Sequence, residues 1–97
     1  MLTQQKVLQG LRLHRDELQH KFMIKSLAIF GSVARNEIRE NSDIDVLVEF
    51  KQPIGLFEFL TLQNYLESLF NAKVDLVTPA ALKPQLRDKI LNDVIYV

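Results

Sequence analysis

Gly31-Ser32 is followed, ten residues on, by Asp43-Ile44-Asp45, and these residue types could do chemistry together. The two aspartates stand two apart at the head of an apolar run, Ile44-Asp45-Val46-Leu47-Val48. That run reads as a strand, and strand side chains alternate with a period of two. Asp43 and Asp45 therefore project from one face. Like charges side by side repel and are costly to bury. A cation between them removes that cost, and all-oxygen donors suit Mg²⁺. The Gly-Ser turn, leading into a short helix, offers backbone N–H groups and a hydroxyl to phosphate oxygens. Carboxylates beside such a turn point to Mg–nucleotide chemistry.

A third carboxylate, Asp75, interrupts the apolar run Val74-Asp75-Leu76-Val77. A charge in the middle of such a run needs a partner. If its strand lies beside the second one, Asp75 joins Asp43 and Asp45 around one site. Three carboxylates could hold two Mg²⁺ ions, activating an attacking hydroxyl and stabilising the leaving oxygen. Taken singly, a D-x-D pair also fits the solvent-facing row of an edge strand, and a Gly-Ser turn is common loop chemistry. The joint pattern carries the reading.

The elements that must position these groups follow from periodicity. Residues 3–20 read as a helix, with Val7, Leu11, His14 and Leu18 on one stripe and Thr3 as N-cap. Residues 26–30 read as a buried strand ending at Gly31, and 33–36 as one or two helical turns. Residues 39–42 are a polar loop, and 43–50 the second strand. Pro53 and Gly55 punctuate the way to a helix over 56–70. Its broad apolar face is set by Leu56, Phe59, Leu60, Leu66 and Leu69, widened by Leu62 and Tyr65. That excess width marks either core or a partner surface; Phe57, Phe59 and Phe70 are assigned to core. Residues 73–78 read as a third strand and 84–92 as a last helix. The tail 94–97 is β-prone. Alternating strands and helices predict an α/β (α+β) layered domain over residues 1–97.

Composition bounds the rest. The 97 residues carry 12 basic and 12 acidic side chains, and 47% of them are hydrophobic. Zero formal charge argues against direct nucleic-acid binding. The absence of cysteine excludes disulfides and thiolate metal sites. No apolar run approaches the roughly 18 residues of a membrane span. The first residues lack a signal-peptide hydrophobic region, so a cytoplasmic location is expected. His14 and His20 have no acidic or cysteine set at metal spacing and read as packing or surface residues. Glu37 and Glu40 read as solvated flanks of the site loop.

Gly31-Ser32-Val33-Ala34-Arg35, the ten-residue interval and Ser42-Asp43-Ile44-Asp45-Val46 resemble the signature of the nucleotidyltransferase superfamily that contains DNA polymerase β. More narrowly, the chain is similar to the minimal nucleotidyltransferase (MNT) antitoxins. Gly55-Leu56-Phe57, Val74-Asp75-Leu76-Val77-Thr78-Pro79 and the Leu86-Arg87 to Tyr96-Val97 end extend the resemblance over nearly the whole chain. It implies a small polymerase β palm-like domain, a mixed sheet of three or four strands with helices packed on it. It implies that Gly31, Ser32, Arg35 and Ser42 bind the nucleotide. Asp43, Asp45 and Asp75 would hold Mg²⁺, with two ions expected, and Asp75 would help deprotonate the acceptor. The implied reaction is AMP transfer from ATP to a tyrosine of a HEPN-domain ribonuclease toxin, encoded next door and held in a hetero-oligomer. Two competing readings share the fold: an occluding antitoxin without turnover, and a transferase subunit for a small-molecule or RNA acceptor held by another chain. A second expectation concerns size: the chain has little room for an acceptor domain, so a macromolecule would present the acceptor. Asn36 and Asn71 stand where many relatives carry glycine, and asparagine tolerates a left-handed backbone there.

Overall fold

The structure, a computed structural model, describes residues 2–97; Met1 of the expected 1–97 span lies outside the described residues. Helix α1 spans Gln4–Leu13, and Thr3 caps it by accepting from the Lys6 N–H at 3.1 Å. The expected single helix is two: α2 spans Arg15–Phe22, and the chain breaks at His14. The Gly10 carbonyl accepts from both the His14 backbone N–H, at 3.3 Å, and the His14 Nδ1–H, at 2.9 Å, so the side chain folds back on the last turn of α1. Val7, Leu8 and Leu11 of α1 and Leu18 and Phe22 of α2 are buried. Met23 then turns the chain with φ 56°, in the left-handed region.

Strand β1, Ile24–Phe30, starts two residues before the expected boundary, with a register irregularity between Ile24 and Ser26. Gly31–Ala34 is the short helix α3, and β2 runs Ile44–Phe50. Helix α4, Leu56–Phe70, has the expected bounds and leads into β3, Val74–Val77. The strand–helix–strand crossover makes β2 and β3 parallel, whereas β1 pairs antiparallel with β2. A 3₁₀ turn at Pro79–Ala81, not anticipated from sequence, precedes α5, Pro84–Asp93. The tail forms β4, Ile95–Tyr96, antiparallel to β1. The four-stranded mixed sheet has the order β3-β2-β1-β4.

The sheet has unequal faces. Leu27, Ile29, Ile44, Val46, Val48, Val74 and Leu76 join the buried residues of α1, α2 and α4 in the main core. On the opposite face, Ala28, Phe30, Leu47 and Leu82 form a smaller cluster edged by Val77, Ile90 and Val94. Strand alternation places Asp45 with Leu47, and Asp75 with Val77, on this thinly covered face.

The apolar stripe of α4 differs from expectation. Leu62 and Leu66 are fully buried with Phe59 and Phe70 packed beside them, but Leu56, Phe57 and Leu60 are exposed, Phe57 at 83%. Fifteen helical residues span about 22 Å, whereas the four residues of β3 span about 13 Å, so the start of α4 outruns its strand.

Candidate active site

Strand register assembles the site. Phe30, the last residue of β1, pairs with Asp45 of β2, and Asp45 pairs with Asp75 of β3. Partners in adjacent strands sit about 4.8 Å apart and point to the same face. Asp43 immediately precedes β2, and the Ile44 N–H is held by the Lys73 carbonyl at 2.9 Å. The expected acidic group is therefore brought together.

Gly31 follows Phe30 and so lies against Asp45. Its φ is 70°, and a Cβ there would collide with the Asp45 Oδ2 and stand 3.0 Å from its Cγ. Glycine is required twice: by the backbone and by the approach of the carboxylate. The turn after it is fastened by the Glu37 N–H donating to the Ser32 carbonyl at 2.8 Å and the Asn36 N–H donating to the Val33 carbonyl. Asn36 has φ 59° and Asn71 φ 50°, the left-handed conformation expected at both. From α1, Gln4 donates to the Ala34 carbonyl at 2.8 Å.

Arg35 and Ser42 have local roles in this state. Arg35 pairs with Glu37 at 3.1 Å and reaches Asp93 of α5 at 3.4 Å. Hydrogen bonding to Glu37 raises its pKa, and it stays cationic. Its positive charge also favours ionised Asp45. Ser42 Oγ accepts from the Arg39 N–H at 2.8 Å, closing the loop before Asp43. Asp93, Glu37 and Gln4 hold the turn, and sequence reasoning missed that role. Glu37 adjoins Arg35, but Asp93 lies 58 residues from it with no local signal. His14 and His20 are accounted for by backbone carbonyls, as expected.

The electrostatics fit a cation. Partial burial, then Asp75, then Asp43 push the Asp45 carboxyl from 3.8 to about 6. A divalent ion would relieve both the desolvation and the repulsion. Among the described residues, no three His, Cys, Asp or Glu side chains enclose an ion by themselves. The carboxylate oxygens of Asp43, Asp45 and Asp75 are the hard donors that suit Mg²⁺.

Comparison with known proteins agrees with this geometry. Residues 11–97 match the family described as nucleotidyltransferase domain. A Methanocaldococcus jannaschii protein, provisionally named a protein adenylyltransferase, is 44% identical over 98 residues, covering 100% of both chains. The protein adenylyltransferase MntA of Thermococcus cleftensis is 38% identical, covering 100% of this chain and 98% of its own. A solved structure provisionally described as a minimal nucleotidyltransferase superposes with a TM-score of 0.81 at 34% identity, over 97% of this chain and 95% of that one. A complex of tri-AMPylated Shewanella oneidensis HEPN toxin with MNT antitoxin contains a chain of the same fold. Its TM-score is 0.65 at 21% identity, over 97% of this chain and 71% of that one.

Proposed function

Because the chain belongs to the nucleotidyltransferase domain family, we propose that it transfers AMP from ATP to a tyrosine hydroxyl of a HEPN-domain ribonuclease toxin, as the antitoxin of that pair. The observation that carries the reading is the pairing of Asp45 with Asp75 beside a glycine turn pressed against Asp45. The adenylyltransferase names of relatives 38–44% identical over their full length support AMP as the group moved. The AMPylated HEPN toxin bound to a chain of this fold supports the partner.

Asp43, Asp45 and Asp75 would hold Mg²⁺, two ions in the full site, and the metal would supply charge neutralisation on the phosphates. Gly31 and Ser32 present backbone N–H groups and a hydroxyl to the triphosphate. Arg35 and Ser42 steady that turn and the loop before Asp43. The tyrosine oxygen attacks the α-phosphorus and forms the new P–O bond. The bond from that phosphorus to the bridging oxygen breaks, and pyrophosphate leaves with its electron pair. The phenolic proton passes to the Asp75 carboxylate. Residues 1–97 act as one minimal domain. Among the described residues no helix is long and apolar enough to cross a membrane, and we place the pair in the cytoplasm.

Intact-mass spectrometry of the HEPN partner, coexpressed with this protein or with its Asp43→Asn/Asp45→Asn variant, tests the reading. The expected result is a mass gain in multiples of one AMP, lost with the variant. An unmodified partner in a tight complex would transfer the role to occlusion.

A further inference from the structure

Two carboxylates hold Arg35, one local and one distant. Its Nε–H donates to the Glu37 Oε2 at 3.1 Å, and its Nη1–H to the Asp93 Oδ2 at 3.4 Å. Glu37 is two residues away, and its side chain is 63% exposed. Asp93 lies 58 residues away, is 30% exposed, and ends α5 between two anchored stretches. Before it, Ile90 packs on the cluster of Ala28, Phe30, Leu47 and Leu82; after it, Val94 does the same. Ile95 then pairs with Ile29 of β1. Packing and strand pairing therefore fix where the Asp93 carboxylate stands.

Stability does not account for this arrangement. An exposed ion pair contributes little to folding, because water screens it and both side chains lose rotamers. What the two carboxylates do is confine a long side chain beside the phosphate turn. The Arg35 backbone N–H donates to the Gly31 carbonyl at 3.1 Å, and its charge is felt at Asp45. The guanidinium thus neighbours both the turn and the acidic group. It has five N–H donors. Glu37 and Asp93 take those of Nε and Nη1, and among the described residues Nη2 donates to no group. A guanidinium held in this way keeps the rest of its planar fork for a phosphate.

We propose that Asp93 is a positioning residue, which from α5 holds the Arg35 guanidinium so that its remaining Nη2 donors meet the triphosphate. The inference rests on the adenylyltransferase reading and adds to it a residue far outside residues 31–45. Ordering a loose, rotamer-rich side chain on binding costs about two- to twelvefold in affinity. With Asp93 in place, that ordering is complete before the nucleotide arrives.

The test is calorimetric titration of the full chain with a non-hydrolysable ATP analogue and Mg²⁺. The proteins are the wild type, Asp93→Ala, Asp93→Asn, Arg35→Ala and Arg35→Ala/Asp93→Ala, each checked for fold by circular dichroism. Asp93→Ala should weaken binding about two- to twelvefold. Asp93→Asn keeps an oxygen that accepts from Nη1 and should return affinity to within about twofold of the wild type. In the Arg35→Ala background, loss of Asp93 should change affinity by less than about twofold. Unchanged or tighter binding by Asp93→Ala overturns the inference. An equal loss in both backgrounds also overturns it, because Asp93 would then serve the fold rather than Arg35. A wild-type protein that binds the analogue but modifies no partner removes the transferase reading alone, since the titrations still decide the role of Asp93. One that binds no analogue removes both.

Discussion

Replacing Gly31 by alanine isolates the contact on which the site depends. Two penalties arise in the structure. A residue with a Cβ at φ 70° costs roughly 1–2 kcal/mol relative to glycine. The new methyl also collides with the Asp45 Oδ2. That atom ends a short side chain and can swing away, so the added cost is that of a poor rotamer, about 0.5–1.5 kcal/mol. The sum, about 1.5–3.5 kcal/mol, lowers Tm by on the order of 10 °C in a domain of this size. Activity should suffer more than stability. The swing moves a carboxylate of the proposed metal site, and a displacement of about 1 Å at a reacting centre costs on the order of 100-fold in rate.

Thermal denaturation followed by circular dichroism and AMP transfer from labelled ATP measure the two quantities. A cycle with Asp45→Ala separates the causes. Without the carboxylate, the two nearest of the atoms crowding the new methyl are gone and the Asp45 Cβ remains, at 3.3 Å. The rotamer part should then vanish, leaving a coupling of about 0.5–1.5 kcal/mol. If Gly31→Ala costs the same in both backgrounds, the collision is not its cause. If Gly31→Ala keeps full transfer, the turn does not position Asp45 and the site is assembled otherwise.

Three further outcomes are expected. Asp45 titrates near 6 in the folded protein and near 3.8 when unfolded, so its proton stabilises the metal-free fold. That stability is full below about 4 and is lost as pH rises through 6; Tm should fall across this window for the wild-type protein and stay flatter for Asp45→Asn. Mg²⁺ added at pH 7 should raise the wild-type Tm but not that of Asp43→Asn/Asp45→Asn, and a chelator should stop transfer until Mg²⁺ is restored. Asn71→Gly should hold or raise stability by up to about 1 kcal/mol, and Asn71→Val should lose about 1–2 kcal/mol, read from denaturant midpoints.

Local signals were legible in the sequence, and distant ones were not. The Thr3 cap, the bounds of α4 and the left-handed asparagines each depend on a few neighbouring residues. The same holds for the D-x-D strand, whose alternation reports its own two faces. The break at His14 was hidden because Val7, Leu11, His14 and Leu18 keep helical spacing across it. The pairing of β4 with β1 and the reach of Arg35 to Asp93 join segments far apart in sequence, and no periodicity encodes them. The exposure of Phe57 depends on the length of α4 relative to β3, a relation between two elements rather than a property of either.

The acidic site and the main core impose a single constraint. Asp75 faces the site because Val74 and Leu76 on either side of it are buried in the main core. A slip of β3 by one residue would turn Asp75 inward and expose both apolar neighbours. The same argument holds for Asp45 between Ile44 and Val46, and for the end of β1, where buried Ile29 sets the position of Phe30 and hence of Gly31. Burial on one face thus sets the register, and register brings Asp45, Asp75 and a glycine turn together on the other. The metal-free fold tolerates their repulsion because that face is thinly covered and water can still screen it. This openness lets a cation, phosphates and an acceptor reach the same carboxylates.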